Sequence, residues 1–164
     1  TFKVNQMSYT NKQPKDFIKS LQIIHLALLA GILIFTAYVA FKAKDALFFS
    51  YEDDKPFLFL AIIIAFAGNL ASKYLYASLL KKISDNLDLM QKAIKFSTAH
   101  VFRMAMLEFP AFMCVFFTMQ SNNSFYFVLV LILVLMMLSI FPTKNKFESD
   151  VPLTSKEKSI LEKL

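Results

Sequence analysis

The order of apolar and polar positions along the chain predicts four long apolar helices. The almost unbroken apolar runs occupy about residues 21–41, 57–77, 99–119 and 125–141. A helix needs about 20 apolar residues to cross the hydrocarbon of a bilayer. Because the runs are apolar on every side, they are typical of membrane spans. The pattern therefore predicts an all-α fold, a polytopic integral membrane four-helix bundle that forms one domain over residues 1–164.

Two polar segments also carry helical patterns. In the connector 78–98, apolar residues recur at steps of three and four with charged residues between them, which indicates an amphipathic helix. Such a helix either extends the neighbouring spans or lies on the membrane surface. In the tail, Thr154 and Glu157 have the spacing of a capping box, which predicts a short helix over residues 155–164.

Composition removes the soluble alternative. Hydrophobic residues make up 57% of the chain and charged residues 18%, against about 45–50% and 25% in soluble domains. A chain of 164 residues has too little interior to hide that much apolar surface from water. The net charge of +6 comes from dispersed lysines and arginines without a binding motif, so we expect the lipid bilayer and no nucleic acid as a partner.

The basic residues also predict an orientation. Lysines concentrate before the first span, in the connector 78–98 and in the tail. The first loop offsets its lysines with acids, and the third loop, residues 121–124, is uncharged. Basic segments stay on the cytoplasmic side of a membrane. We therefore expect both termini and the connector to be cytoplasmic.

Spans one and three suggest a duplication. They align without gaps, with residues 24–29 opposite residues 102–107. Each segment has a polar residue followed by a bulky residue, an alanine and two further bulky residues. The alignment predicts a tandem helical hairpin related by an axis along the membrane normal. The composition that all membrane spans share explains the alignment equally well.

Small residues mark two helix faces where other helices are expected to pack, inside the subunit or across an oligomer, because small side chains let backbones approach closely in lipid. They are Ala61, Ala65, Gly68 and Ser72 in one stripe of span two, and Ala27 and Gly31 as a small-xxx-small pair on span one.

Span three carries the most informative polar residue. Glu108 lies near its midpoint, where a charge costs about 2.5–3.5 kcal/mol. Pro110 follows, so a kink and a free carbonyl are expected beside the carboxyl. Asn69 lies at nearly the same depth on span two, and His100 lies two turns before Glu108 on the same face. These three residues, Glu108, Asn69 and His100, form a candidate ion-binding site; polar contacts between helices are the equally weighted alternative.

Three further basic residues, His25, Lys73 and Arg103, are expected in a shallower layer at the cytoplasmic side. That layer could bind an anionic lipid headgroup, although snorkelling and topology are the favoured explanation. The chain has no Cys/His metal spacing, no phosphate loop and no nucleophile–base set. We expect no metal, no cofactor and no enzymatic activity.

Sequence strings add a resemblance. Residues 15–31 (KDFIKSLQIIHLALLAG), 54–74 (DKPFLFLAIIIAFAGNLASKY) and 103–112 (RMAMLEFPAF) resemble a family of small four-span proteins of the bacterial inner membrane. Residues 105–108 (AMLE) are also similar to the carboxylate helix of rotary ATPase proteolipids, which would make Glu108 the ion-binding carboxylate. The chain departs from proteolipids in having two glycines and a connector of about 20 residues.

Two functions follow as expectations. The first is an accessory or structural role as a subunit or assembly partner of a membrane complex, which requires no chemistry of the chain itself. The alternative is a homo-oligomeric protein that handles protons or cations through Glu108, because four short spans leave little room for transport in a monomer.

Overall fold

The computed structural model describes residues 14–162. Every named element in this part of the chain is a helix, which confirms the all-α prediction for these residues. The helices are α1 (Pro14–Ala43), α2 (Lys55–Leu80), α3 (Leu89–Ser121), α4 (Tyr126–Ser139), α5 (Lys144–Asp150) and α6 (Ser155–Glu162). The basic N-terminal arm and the last two residues of the predicted tail helix lie outside the described residues.

Three helices, α1, α2 and α3, are long and apolar enough to cross a membrane. The fourth predicted span is shorter than expected, because α4 has 14 residues and is about 21 Å long. Together α4 and α5 also meet the criteria for a span, but they meet at an angle of 78°. Residues 14–162 therefore contain three candidate spans, or four if α4 and α5 count as one bent span.

The predicted amphipathic connector is divided between its neighbours. Its first residues complete α2, and α3 begins at Leu89, so only a short turn separates the two helices. Asp88 fixes this start, because its Oδ1 accepts from the backbone N of Gln91 at 2.8 Å and the Gln91 side chain accepts from the backbone of Asp88. The connector thus extends the long helices instead of forming a separate surface helix.

The tail contains one helix that sequence analysis missed. Thr143 caps α5 by accepting from the backbone N of Lys146 at 3.2 Å. The helix α6 lies within the predicted tail segment, and its capping box forms, since Glu157 accepts from the backbone N of Thr154 at 2.7 Å. The helix α5 was missed because its seven residues are too few to show the periodicity of an amphipathic helix.

The helix α3 lies at the centre of the fold and packs against α1, α2 and α4. One apolar core joins these four helices. A second core lies at the end of the bundle where α5 and α6 pack, which we call the tail end. The opposite end, called the loop end, is closed where Phe48 and Asn123 form a backbone bridge.

The helices α2 and α3 approach each other closely at Gly68. A Cβ atom placed on Gly68 would collide with the ring of Pro110 and would lie 2.6 Å from the carbonyl oxygen of Met106. Ala61 and Ser72, on the same stripe, are 0% and 1% exposed. At Gly68 the small-residue stripe of α2 therefore packs against α3 within the subunit.

The second pair of small residues does not pack inside the subunit, so of the two predicted arrangements only packing across an oligomer is left for it. Ala27 and Gly31 are exposed on the outer side of α1, and a Cβ on Gly31 would meet no atom within 4 Å. Neither residue packs against a helix of the described chain. The face of α1 that packs inside the subunit carries His25, Leu29 and Ile32 instead.

The two hairpins of the predicted duplication do not have helices of matching length in the structure. The first hairpin pairs α1 with the 26-residue α2, whereas the second pairs α3 with the 14-residue α4. The connection within the first hairpin covers residues 44–54, and that within the second covers residues 122–125. The two halves differ most where the second bends away at the tail end.

Candidate functional site

Buried polar side chains collect at the two ends of the bundle. His25, Ser72, Lys92 and His100 lie towards the tail end, and Thr118 and Asn123 lie towards the loop end. On α3, Thr118 follows His100 by 18 residues, which is about 27 Å of helix and close to the thickness of a bilayer core. The buried residues of α3 between them are Met104, Leu107, Pro110, Ala111, Cys114 and Val115. In residues 14–162, no row of buried polar groups crosses the bundle.

The two histidines of the chain contact each other. Nδ1 of His25 and Nε2 of His100 are 3.0 Å apart, and the side chains are 0% and 2% exposed. The rings stack at 5.3 Å, with Phe141 packed edge-on against His25 and Phe96 stacked on His100. The hydrogen bond needs one donor and one acceptor. The contacting nitrogens therefore share a single proton, and full protonation of both rings would break the contact.

The predicted ion site does not assemble. His100 contacts His25 and not Glu108, and the fully buried Met104 lies between His100 and Glu108 on α3. Asn69 lies beside a cleft between α2 and α4. Glu108 is half-buried and makes no hydrogen bond or ion pair within residues 14–162. The expected bond between Asn69 and Glu108 is absent from this part of the chain because the two residues face different neighbours.

The predicted basic layer is also divided. His25 is buried in the histidine pair, whereas Lys73 is exposed on α2. The guanidinium carbon of Arg103 lies 4.6 Å from the ring centroid of Tyr76, a cation–π arrangement. The Nε atom of Arg103 is buried without an acceptor in the described residues. Arg103 and Lys73 thus remain near the α2 side of the tail end, without His25.

The tyrosine beneath Arg103 connects the bundle to α5. The hydroxyl of Tyr76 donates to Oδ2 of Asp150 at 2.6 Å. Asp150 is also paired with Lys146, whose Nζ lies 3.1 Å from the same oxygen. On the opposite side, Nε2 of Gln22 donates to the carbonyl of Pro142 at 2.9 Å. These bonds hold α5 against α2 and the residues that lead into α5 against α1.

Sequence analysis missed a buried lysine at the same end. Lys92 is 0% exposed and its Nζ contacts both carboxylate oxygens of Glu157 on α6, at 3.1 and 2.9 Å. The helical spacing indicates this burial, because Lys92 precedes the apolar residues Phe96 and Ala99 by four and seven residues. It therefore lies on their face of α3, which is buried. A lysine between the apolar residues of an amphipathic connector is expected on the polar face, so its charge concealed this position.

The described residues contain no group of three or more His, Cys, Asp or Glu side chains that could hold a metal ion. No protein-family model, curated protein or solved structure matches this chain. The described residues thus combine an apolar core, polar contacts at both ends of the bundle, and the half-buried carboxyl of Glu108 between the two ends.

Proposed function

We propose that the chain is a small four-span protein of the bacterial inner membrane that serves as an accessory subunit or assembly partner of a larger membrane complex. The spans are α1, α2, α3 and the bent pair of α4 and α5. Large apolar side chains such as Ile34, Phe66 and Leu131 are 57–70% exposed on the outer faces of three helices, which suits contact with lipid or another membrane protein. The lysine distribution favours a cytoplasmic tail end.

The observation that carries the accessory role is the unpaired carboxyl of Glu108. An ionisable side chain at mid-membrane depth is normally turned inward and paired. Glu108 is half-buried, has no partner within residues 14–162, and lies on the side of α3 where Phe112 contacts Phe35 of α1. A neighbouring membrane protein that supplies a hydrogen-bond donor or a cation would satisfy it. Polar contacts of this kind hold helices together in lipid.

The apolar core argues against conduction through one subunit. Between His100 and Thr118 the buried side chains of α3 offer no polar group that could bind or relay an ion. An accessory role needs no such path. The proposal therefore agrees with both features, the apolar centre and the lateral carboxyl.

Co-purification tests the proposal. The tagged chain is extracted from native membranes in mild detergent and its assemblies are weighed by native mass spectrometry. We expect the unmodified chain to remain in a larger assembly. Glu108→Leu is expected to leave that assembly while its thermal unfolding stays normal. The control Glu52→Leu, which changes an exposed loop carboxyl, is expected to remain bound. Recovery of the unmodified chain as a monomer from membranes that retain other complexes would refute the accessory role.

The alternative function, proton or cation handling by a homo-oligomer, uses the same carboxyl. Glu108 is reachable from the side, so copies of the chain could place it at their shared interface. A liposome flux assay separates the two functions. Flux that Glu108→Gln abolishes, while the oligomer survives, would favour ion handling. Absence of flux in the unmodified chain would favour the accessory role.

A further inference from the structure

A cleft separates α2 from α4 on the outside of the bundle. These helices pack loosely against each other, and the cleft between them has a volume of about 230 Å³. Its walls are apolar except for Asn69. Ile62, Phe66 and Ile132 on its rim are 41%, 62% and 49% exposed, so the cleft opens to the surroundings of the bundle. A helix about 10–12 Å in diameter would not enter a space of this volume, whereas an extended acyl chain is narrow enough.

Polar groups continue from the cleft towards the tail end in a defined order. Asn69, Lys73 and Tyr76 recur at steps of four and three, so they share one face of α2. Lys73 lies about 6 Å along the helix from Asn69, and Tyr76 about 10 Å. The helix α2 runs from the loop end towards the tail end. Along it the apolar cleft is followed by Asn69, then by Lys73, and then by Tyr76, whose ring contacts Arg103.

Both cations in this group lack a carboxylate partner in the described chain. No acid lies within ion-pair distance of Lys73 or Arg103 in residues 14–162. Asp150, which accepts from Tyr76, is already paired with Lys146. Basic groups at the end of an apolar cleft between membrane helices are suited to the headgroup of an anionic lipid.

We propose that this α2–α4 cleft binds an anionic phospholipid. An acyl chain occupies the apolar part beside Phe66 and Ile132. The phosphate lies between Lys73 and Arg103. This order of acyl chain and phosphate matches the order of the apolar cleft and the basic side chains along α2.

The lipid site is independent of the accessory role, because it uses the opposite side of α3 from Glu108 and requires no protein partner. Selective lipid binding at this site can also be distinguished from simple snorkelling of Lys73 and Arg103. Two snorkelling cations would contact any headgroup, whereas a site prefers a negatively charged lipid and retains it through purification.

Native mass spectrometry of the full chain tests the site, with phosphatidylglycerol and phosphatidylcholine added to the delipidated protein. We expect the unmodified chain to retain phosphatidylglycerol in preference to phosphatidylcholine. Combined Lys73→Gln and Arg103→Gln changes are expected to weaken phosphatidylglycerol binding about thirty-fold, since each basic group contributes similarly to binding anionic lipid. The matched control is Lys81→Gln, an exposed lysine just beyond the end of α2, which is expected to bind normally.

Two further arms keep the test decisive. If the double variant is unstable, the single change Lys73→Gln replaces it, since Lys73 is exposed and its change preserves the fold. This variant is expected to lose part of the preference for phosphatidylglycerol. Ile132→Trp fills the cleft and is expected to reduce retention of both phospholipids while leaving the cations in place. Equal retention of the two lipids, equal binding by the double variant and the Lys81→Gln control, or displacement of the lipid by inorganic phosphate would each overturn the proposal.

Discussion

The ammonium of Lys92 lies 2.9 Å from Oε2 of Glu157 and joins the first turn of α3 to α6. The lysine side chain is 1% exposed and the glutamate side chain 14%. A lysine buried to this extent needs a paired carboxylate, because an isolated ammonium in an apolar interior is costly. The pair explains why a short, polar helix lies against the bundle, and the buried Leu161 adds an apolar contact.

Removing the acid is expected to cost more than removing the base. Glu157→Gln leaves the fully buried ammonium of Lys92 uncompensated, so we expect a loss of about 3 kcal/mol in the free energy of unfolding. Lys92→Met removes the buried charge and leaves a partly exposed carboxylate, so the loss is expected to be smaller. Thermal unfolding in detergent measures both, with Glu162→Gln on the same helix as the control. Equal stability of Glu157→Gln and the control would contradict the assignment.

The docking of α6 is expected to weaken in acid. Burial raises the pKa of Glu157, but the hydrogen bonds from Thr154 and Lys92 outweigh it and hold the pKa below its ordinary value. A carboxyl with a lowered pKa contributes stability above the pKa of the unfolded chain, and that contribution is lost as the pH falls through the lowered value. Hydrogen exchange of the α6 amides should therefore accelerate at low pH. In Glu157→Gln this acid-dependent step should disappear; loosening of α6 on raising the pH would contradict the sign.

The two glycines of the chain are expected to respond oppositely to alanine. At Gly68 a Cβ would collide with Pro110 and the carbonyl of Met106, so Gly68→Ala should destabilise the protein by about 1–3 kcal/mol. At Gly31 the Cβ enters open space on a helix, so Gly31→Ala should be neutral or stabilising by up to about 1 kcal/mol. Unfolding of the two variants in the same detergent checks the difference. A stable Gly68→Ala protein would mean that α2 and α3 can separate without cost.

The histidine pair is expected to act as one unit. His25→Leu or His100→Leu alone leaves a buried ring nitrogen without its partner, which costs about 1–3 kcal/mol. The double change removes both nitrogens, so its cost should be smaller than the sum of the single costs. A double-mutant cycle measured by thermal unfolding should give a coupling of about 0.5–3 kcal/mol. Additive costs would show that the contact contributes nothing to stability.

Long-range contacts explain most of what sequence analysis missed. The bundle's helical segments were predictable because their apolar runs are long, whereas α5 is short and depends on packing of Phe147 against Phe17 and Phe96. The meeting of His25 with His100 joins residues 75 positions apart. No local spacing encodes that distance, and the predicted column from His100 to Glu108 used helical geometry alone. The side of α3 on which Glu108 lies depends on where α1 and α2 pack.

The sequence by itself determined that the described chain is helical, where its three long apolar helices lie, and where the tail helix begins. These properties follow from local periodicity, capping residues and composition, which act over a few turns. The tertiary structure alone decided which side of each helix is buried, that Gly68 and not Gly31 lies at a close contact, and that Lys92 is enclosed. Those outcomes depend on the packing of helices distant in sequence, because burial and pairing are properties of several elements together.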